Sequence, residues 1–187
     1  MLEVIAIGIA SLIVSIGLIV LLSGYFAGKD QAGVSGTGRG PGKAFKDLGD
    51  QHLPLGRLQP PYNSDPPTSG AHVPEPVTRD EARLSDNQLL QALELGNVVV
   101  MYGTRAPPPG LRALASRIAG PFTPALAATG EAVILARRPG IRGLVGLAWA
   151  HLIRVGSPGD PLLSQFTRFW LGRGAPGRTS GALGPAG

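Results

Sequence analysis

The chain has 187 residues, a formal charge of +5 and 43% hydrophobic residues. That is enough chain for one domain with its own core in addition to an extra segment. It contains no Cys, which excludes disulfides, thiolate metal sites and thiol catalysis. The positive charge is scattered, with no basic stripe and no interleaved aromatics, so nothing points to nucleic acid. A basic surface of this kind suits anionic lipid headgroups or an acidic partner.

Val4 to Gly28 carry no charge and are mostly Ile, Leu, Val, Ala and Gly. A helix rising about 1.5 Å per residue over such a stretch spans a hydrocarbon core of about 30 Å. Residues 1–28 are therefore read as a transmembrane anchor, with Tyr25 and Phe26 at the interface. A cleaved signal peptide fits less well, because only Met1 to Glu3 precede the apolar run and Glu3 is acidic. Ala6/Ala10 and Ser11/Ser15 have the small-residue spacing that lets a second helix approach.

Residues 29–43 are rich in Gly and Ser and read as a flexible linker. A single α+β domain is expected over 44–174. Within it, Ala44 to Val77 holds many Pro and Gly residues with little periodicity, so irregular structure wrapped over the domain is expected. Ser85 caps a helix, Leu89, Leu90 and Leu93 share a face, and Gly96 ends it. Asn97 to Tyr102 is a β-branched run that predicts a buried strand. Gly110 to Ala119 predicts a helix with an apolar stripe of Leu111, Leu114, Ala115 and Ile118. Glu131 to Ala136 predicts a second strand, Arg137 to Gly140 a turn, and Val145 to Val155 a third strand. On that strand Trp149 and His151 would share a face. Asp160 caps a last helix with Pro161 at its first position, running to about Leu171. Residues 175–187 form a Gly/Pro/Arg-containing tail with too few apolar groups to fold alone.

The chain has three histidines: His52, His72 and His151. His52 and His72 lie in the irregular segment and can converge. A metal site needs about three or four ligands, and Asp50, Asp65, Glu75 and Glu94 are the further candidates. No two histidines have close ligand spacing, so spacing alone favours ordinary histidines over a site. Ser64 and Ser69 have a histidine nearby but no nucleophile-elbow pattern, and no phosphate-cradling glycine loop is present. No catalytic residue is assigned, and an enzyme is not expected.

Tyr62 to His72 (YNSDPPTSGAH), with LGDQH at Leu48 to His52 and LLQALELGNVVVMY at Leu89 to Tyr102, resembles the bacterial family called domain of unknown function 3105. LAWAHLIRV at Leu147 to Val155 and FTRFWLGRG at Phe166 to Gly174 resemble its closing strand and helix. The resemblance covers about Phe45 to Gly174. It implies histidines after each of two glycine motifs and two more around a Leu-Glu pair. His52 and His72 match the first two, and Glu94 and Gly96 match the Leu-Glu-x-Gly frame. Gln91 and Leu95 stand where the remaining two would be, which suggests a degenerate set.

The positive-inside count, with Lys29, Arg39, Lys43 and Lys46 after the apolar run, places the domain in the cytoplasm. The family arrangement places it outside the cytoplasmic membrane of a bacterium, and that placement is preferred. The leading expectation is a non-catalytic, single-pass accessory subunit of a larger membrane complex, respiratory or photosynthetic, with membrane lipid and complex subunits as partners and no cofactor. The alternative is a membrane-anchored extracytoplasmic domain that binds zinc or copper through His52, His72 and Glu94.

Overall fold

The structure, a computed structural model, describes residues 40–176. The expected anchor lies outside the described residues. Among the described residues no helix is long and apolar enough to cross a membrane.

The elements are β1 (Lys43–Ala44), α1 (Asp86–Leu95), β2 (Val98–Tyr102), α2 (Leu111–Ala119), α3 (Pro124–Thr129), β3 (Val133–Arg137), β4 (Leu144–Ala148), β5 (His151–Val155) and α4 (Pro161–Trp170). They form a mixed α+β domain around a five-stranded sheet of order β1-β5-β4-β2-β3. Strands β2 and β3 are parallel, with Val98 opposite Val133, and the other pairs are antiparallel. A parallel pair needs a crossover, and α2 and α3 supply it.

Every residue of β2 is buried, because both faces of the sheet are covered. Period two sends Val99 and Met101 to one face, where they pack with Leu89, Leu93, Ile134, Val145 and Leu147. Val98, Val100 and Tyr102 go to the other, with Leu111, Leu114, Leu163 and Phe166. Helices α1 and α3 thus cover one face, and α2 and α4 the other. Gly146 on β4 leaves room on the second face. A Cβ there would sit 2.9 Å from Ile153 and 3.3 Å from Phe166.

Helix α1 forms where the sequence signals it. Ser85 accepts from the Gln88 amide while the Gln88 side chain accepts from the Ser85 amide, a reciprocal capping box. Gly96 closes the helix in the left-handed conformation with φ 114°. Asn97 then ties three elements together. Its side-chain amide donates to Ala92 O and Ala127 O, and its carbonyl oxygen accepts from Ala132 N.

Three features depart from the sequence reading. Val145 to Val155 is not one strand but the hairpin β4–β5, turning at Trp149 and Ala150. Ala150 has φ 56°, a conformation an L-residue rarely adopts. Contacts remote in sequence hold it there: its N–H donates to Thr68 O, and its carbonyl accepts from Phe45 N. Trp149 therefore shares no strand face with His151. Its indole N–H donates to Asp47, while His151 stacks on Trp170 at 3.8 Å between centroids. Second, α3 was not expected; Thr123 caps it, and Pro124 starts it. Third, the end of the Gly-rich stretch is docked. Lys43 and Ala44 pair with β5, and Trp170 donates from its indole to Pro41 O.

Of the segment read as irregular, Ala44 to Val77, only Ala44 belongs to a strand, and the rest has no helix or strand, as its Pro and Gly content predicts. It is nonetheless ordered by hydrogen bonds. Gly49 O accepts from Gly70 N, Gln51 O from His72 N, and His72 O from Leu53 N. Thr68, Ser69 and His72 are fully buried.

Candidate metal centre

Two chain segments and one helix build the site. The paired stretches 49–53 and 70–72 bring His52 and His72 into a parallel bridge, with ring centroids 5.3 Å apart and edge-on. Helix α1 presents Glu94 from its last turn. Its position is fixed by the Gly96 cap and by the chain after α4, where Ala175 N donates to Glu94 O. Gly174 must be glycine at this crossing, since a Cβ would meet Glu94 O at 2.0 Å.

His52 Nε2 lies 2.9 Å from Glu94 Oε2, and His72 Nε2 lies 3.1 Å from the same oxygen. One ligand atom from each of the three side chains falls within 4.8 Å of the others. His72 is fully buried, Glu94 is 2% exposed, and the His52 side chain is 44% exposed. The cluster is therefore an interior carboxylate and imidazole with one imidazole reaching solvent.

The tautomer of His72 follows from its other nitrogen. Nδ1 stands 3.0 Å from Gly70 O, and a carbonyl can only accept, so Nδ1 carries the proton. The neutral ring then points the Nε2 lone pair toward a carboxylate oxygen, which is also an acceptor. The two are within ion-pair distance, yet Nε2 makes no aligned hydrogen bond and is buried. Two acceptors facing each other in the interior require a cation between them, either a proton or a metal ion. A ring N–H donated to a backbone carbonyl is also the usual outer contact of a metal-bound histidine, because it fixes the tautomer and the ring orientation.

The donor set fits a metal. Tetrahedral zinc with bonds of about 2.0–2.1 Å places its ligands about 3.3–3.5 Å apart. The observed 2.9 and 3.1 Å are shorter by a few tenths of an ångström, and the exposed His52 can move outward to lengthen the first of them.

The motif around His72 is braced on all sides. Tyr62 O–H donates to Ala71 O, Ser69 Oγ accepts from Leu48 N, and Asn87 Oδ1 accepts from Val73 N. Gly70 has φ 127°, and a Cβ there would press on the Tyr62 ring at 3.1 Å. Tyr62, Ser69 and Gly70 belong to the YNSDPPTSG motif and Leu48 to LGDQH, whereas Asn87, in the first turn of α1, carried no sequence signal for this role.

The other candidates lie elsewhere. Asp65 pairs with Arg138, Glu75 accepts from Ser85 Oγ, and Asp50 is exposed. His151 is half-buried; burial lowers its pKa, and the hydrogen bond to Trp149 O opposes this. Gln91 and Leu95 line a cavity of about 110 Å³ with Val77 and Ala127, which none of His52, His72 or Glu94 lines. Gln91 Oε1 is buried there without a hydrogen-bond partner. The two positions at which further histidines were expected thus share this wall, one helical turn before Glu94 and one residue after it.

Fold and site together define a small α+β domain with a sheet covered on both faces and a buried two-histidine, one-carboxylate cluster. A family model described as protein of unknown function (DUF3105) matches residues 59–181, about two thirds of the chain, and the chain belongs to that family. Neither the curated proteins nor the solved structures contain a significant match.

Proposed function

We propose that this domain binds one divalent transition-metal ion through His52, His72 and Glu94, held at the outer side of a bacterial membrane by its N-terminal apolar segment. The observation that carries the reading is His72 Nε2, a buried ring nitrogen with no aligned hydrogen bond, 3.1 Å from the Glu94 carboxylate. Nitrogen and oxygen donors without thiolate or thioether suit zinc or copper(II) rather than copper(I). Three protein ligands leave a coordination position for water or a further ligand on the side where His52 meets solvent. Histidine coordinates a metal only through a ring nitrogen that carries no proton, so protons compete with the ion and binding weakens as pH falls.

An accessory role beside a larger membrane complex is compatible with such a site and rests on the N-terminal apolar segment. In that role the domain would carry or buffer the ion for its partner rather than catalyse a reaction.

The test is elemental analysis and metal titration of the full chain in detergent. One zinc or copper per chain is expected, lost in His72→Ala and in Glu94→Gln. Absence of stoichiometric metal after loading and desalting, or equal loading of both variants, overturns the reading.

A further inference from the structure

On the flank of the sheet, the β3–β4 connection and the Pro66 loop enclose an open cleft of about 490 Å³. Its walls include Asp65, Pro66, Arg138, Ile141, Arg142 and Arg154. Three arginines thus line one cleft from three places: either side of the β3–β4 turn, and β5. Two of them are held in place. Arg138 donates to Asp86 Oδ1 and Asp65 Oδ1, each at 2.8 Å, and Arg154 donates to Asp65 O at 2.7 Å. Arg142 is exposed and makes no hydrogen bond or ion pair with the described residues.

We propose that this cleft is a phosphate-binding site, with Arg142 as the principal ligand and Arg154 and Arg138 beside it. Charge favours an anion. The lining holds three arginines against Asp65 at the rim and Asp86 behind Arg138, which leaves an excess of positive charge. A guanidinium has five N–H donors in a planar fork, and Arg138 and Arg154 spend only some of theirs on protein acceptors. Phosphate, with up to two negative charges and several acceptor oxygens, can engage more than one such fork at once. The existing ion pairs hold Arg138 in position, which lowers the ordering cost of binding. The cleft is larger than a bare phosphate requires, so a phosphate bearing an organic group fits. That group can come from a soluble phosphomonoester or from the headgroup of an anionic lipid beneath the domain. The site is independent of the metal cluster, since none of the metal-ligand residues lines it.

The experiment uses the full chain in neutral detergent at low salt, titrated calorimetrically with inorganic phosphate and with glycerol phosphate. In parallel the chain is placed in nanodiscs of phosphatidylcholine alone or mixed with phosphatidylglycerol. Arg142 reactivity toward phenylglyoxal is read by mass spectrometry in each condition. Saturable binding that weakens with salt, with protection of Arg142, is expected. Arg142→Ala should weaken binding by about tenfold or more while leaving the unfolding midpoint unchanged, because Arg142 braces nothing. Protection only in the phosphatidylglycerol discs assigns the lipid headgroup; binding of the soluble phosphates assigns a soluble ligand. The proposal is overturned if neither form binds or protects, or if Arg142→Ala binds as well as the wild type.

Discussion

Glu94→Gln separates a structural carboxylate from a metal ligand. The substitution keeps shape and removes charge at a residue that is 2% exposed. Without metal, two effects oppose each other. The variant loses a charge-assisted bond from His52, worth about 1.5–3 kcal/mol, and it is relieved of burying a carboxylate, which costs a comparable amount. The apo stability should therefore move by less than about 2 kcal/mol. With metal the effects no longer cancel. A ligand that binds only the folded state adds about 2.7 kcal/mol at a free concentration of about 100 times Kd. At a urea m-value of about 2 kcal/mol/M this raises the wild-type midpoint by more than about 1 M. Glu94→Gln supplies one weak carbonyl donor in place of a carboxylate, so its midpoint should rise little at the same metal concentration. The assay is urea unfolding followed by circular dichroism, with chelator and with zinc or copper(II). If Glu94→Gln gains as much from metal as the wild type, the ion sits elsewhere and the reasoning from the His72 lone pair is wrong.

Asn97→Ala removes three hydrogen bonds of 2.8–3.1 Å and leaves Ala132 N and Ala127 O without their side-chain partner. A loss of about 2–5 kcal/mol is expected in urea unfolding, and a loss under about 1 kcal/mol would show that the three elements dock without it. His151 gives stability a pH dependence. Burial sets its folded pKa below the ordinary 6.5, so between those values the unfolded chain binds more protons than the folded one. Stability then falls as pH drops from about 6.5 through the folded pKa. His151→Phe retains an aromatic ring to stack on Trp170, and its stability should decline less steeply over that window; parallel slopes would remove His151 as the cause.

Much of the framework was readable because local chemistry and tertiary position agree there. Ser85 and Gly96 bound α1 as their side chain and backbone freedom require, the run Val98–Tyr102 is a strand buried on both faces, and Asp160-Pro161 starts the last helix. The hairpin at Trp149-Ala150 was not readable. Neither residue favours a tight turn, and the left-handed Ala150 is held by a hydrogen bond that it donates to Thr68 O and one that it accepts from Phe45 N, both distant in sequence. Helix α3 was missed because a run of six residues carries too little periodicity to stand out.

The sequence by itself determined the residue types available to the site. It has no thiol, three histidines and few acids near them, and it carries a motif specific enough to indicate the family. It also determined that the stretch from Phe45 to Val77 would be irregular, since Pro and Gly deny it regular hydrogen bonding. Only the tertiary structure decided that His52, His72 and Glu94 meet. They come from an extended strap, a rigid glycine turn and a helix end, and no local periodicity relates the three. Their convergence depends on backbone bonds between 49–53 and 70–72 and on the chain after α4 crossing behind Glu94. The same packing gave His72 its tautomer, because the Gly70 carbonyl that takes its Nδ1 proton is placed by the fold and leaves the other nitrogen facing the carboxylate.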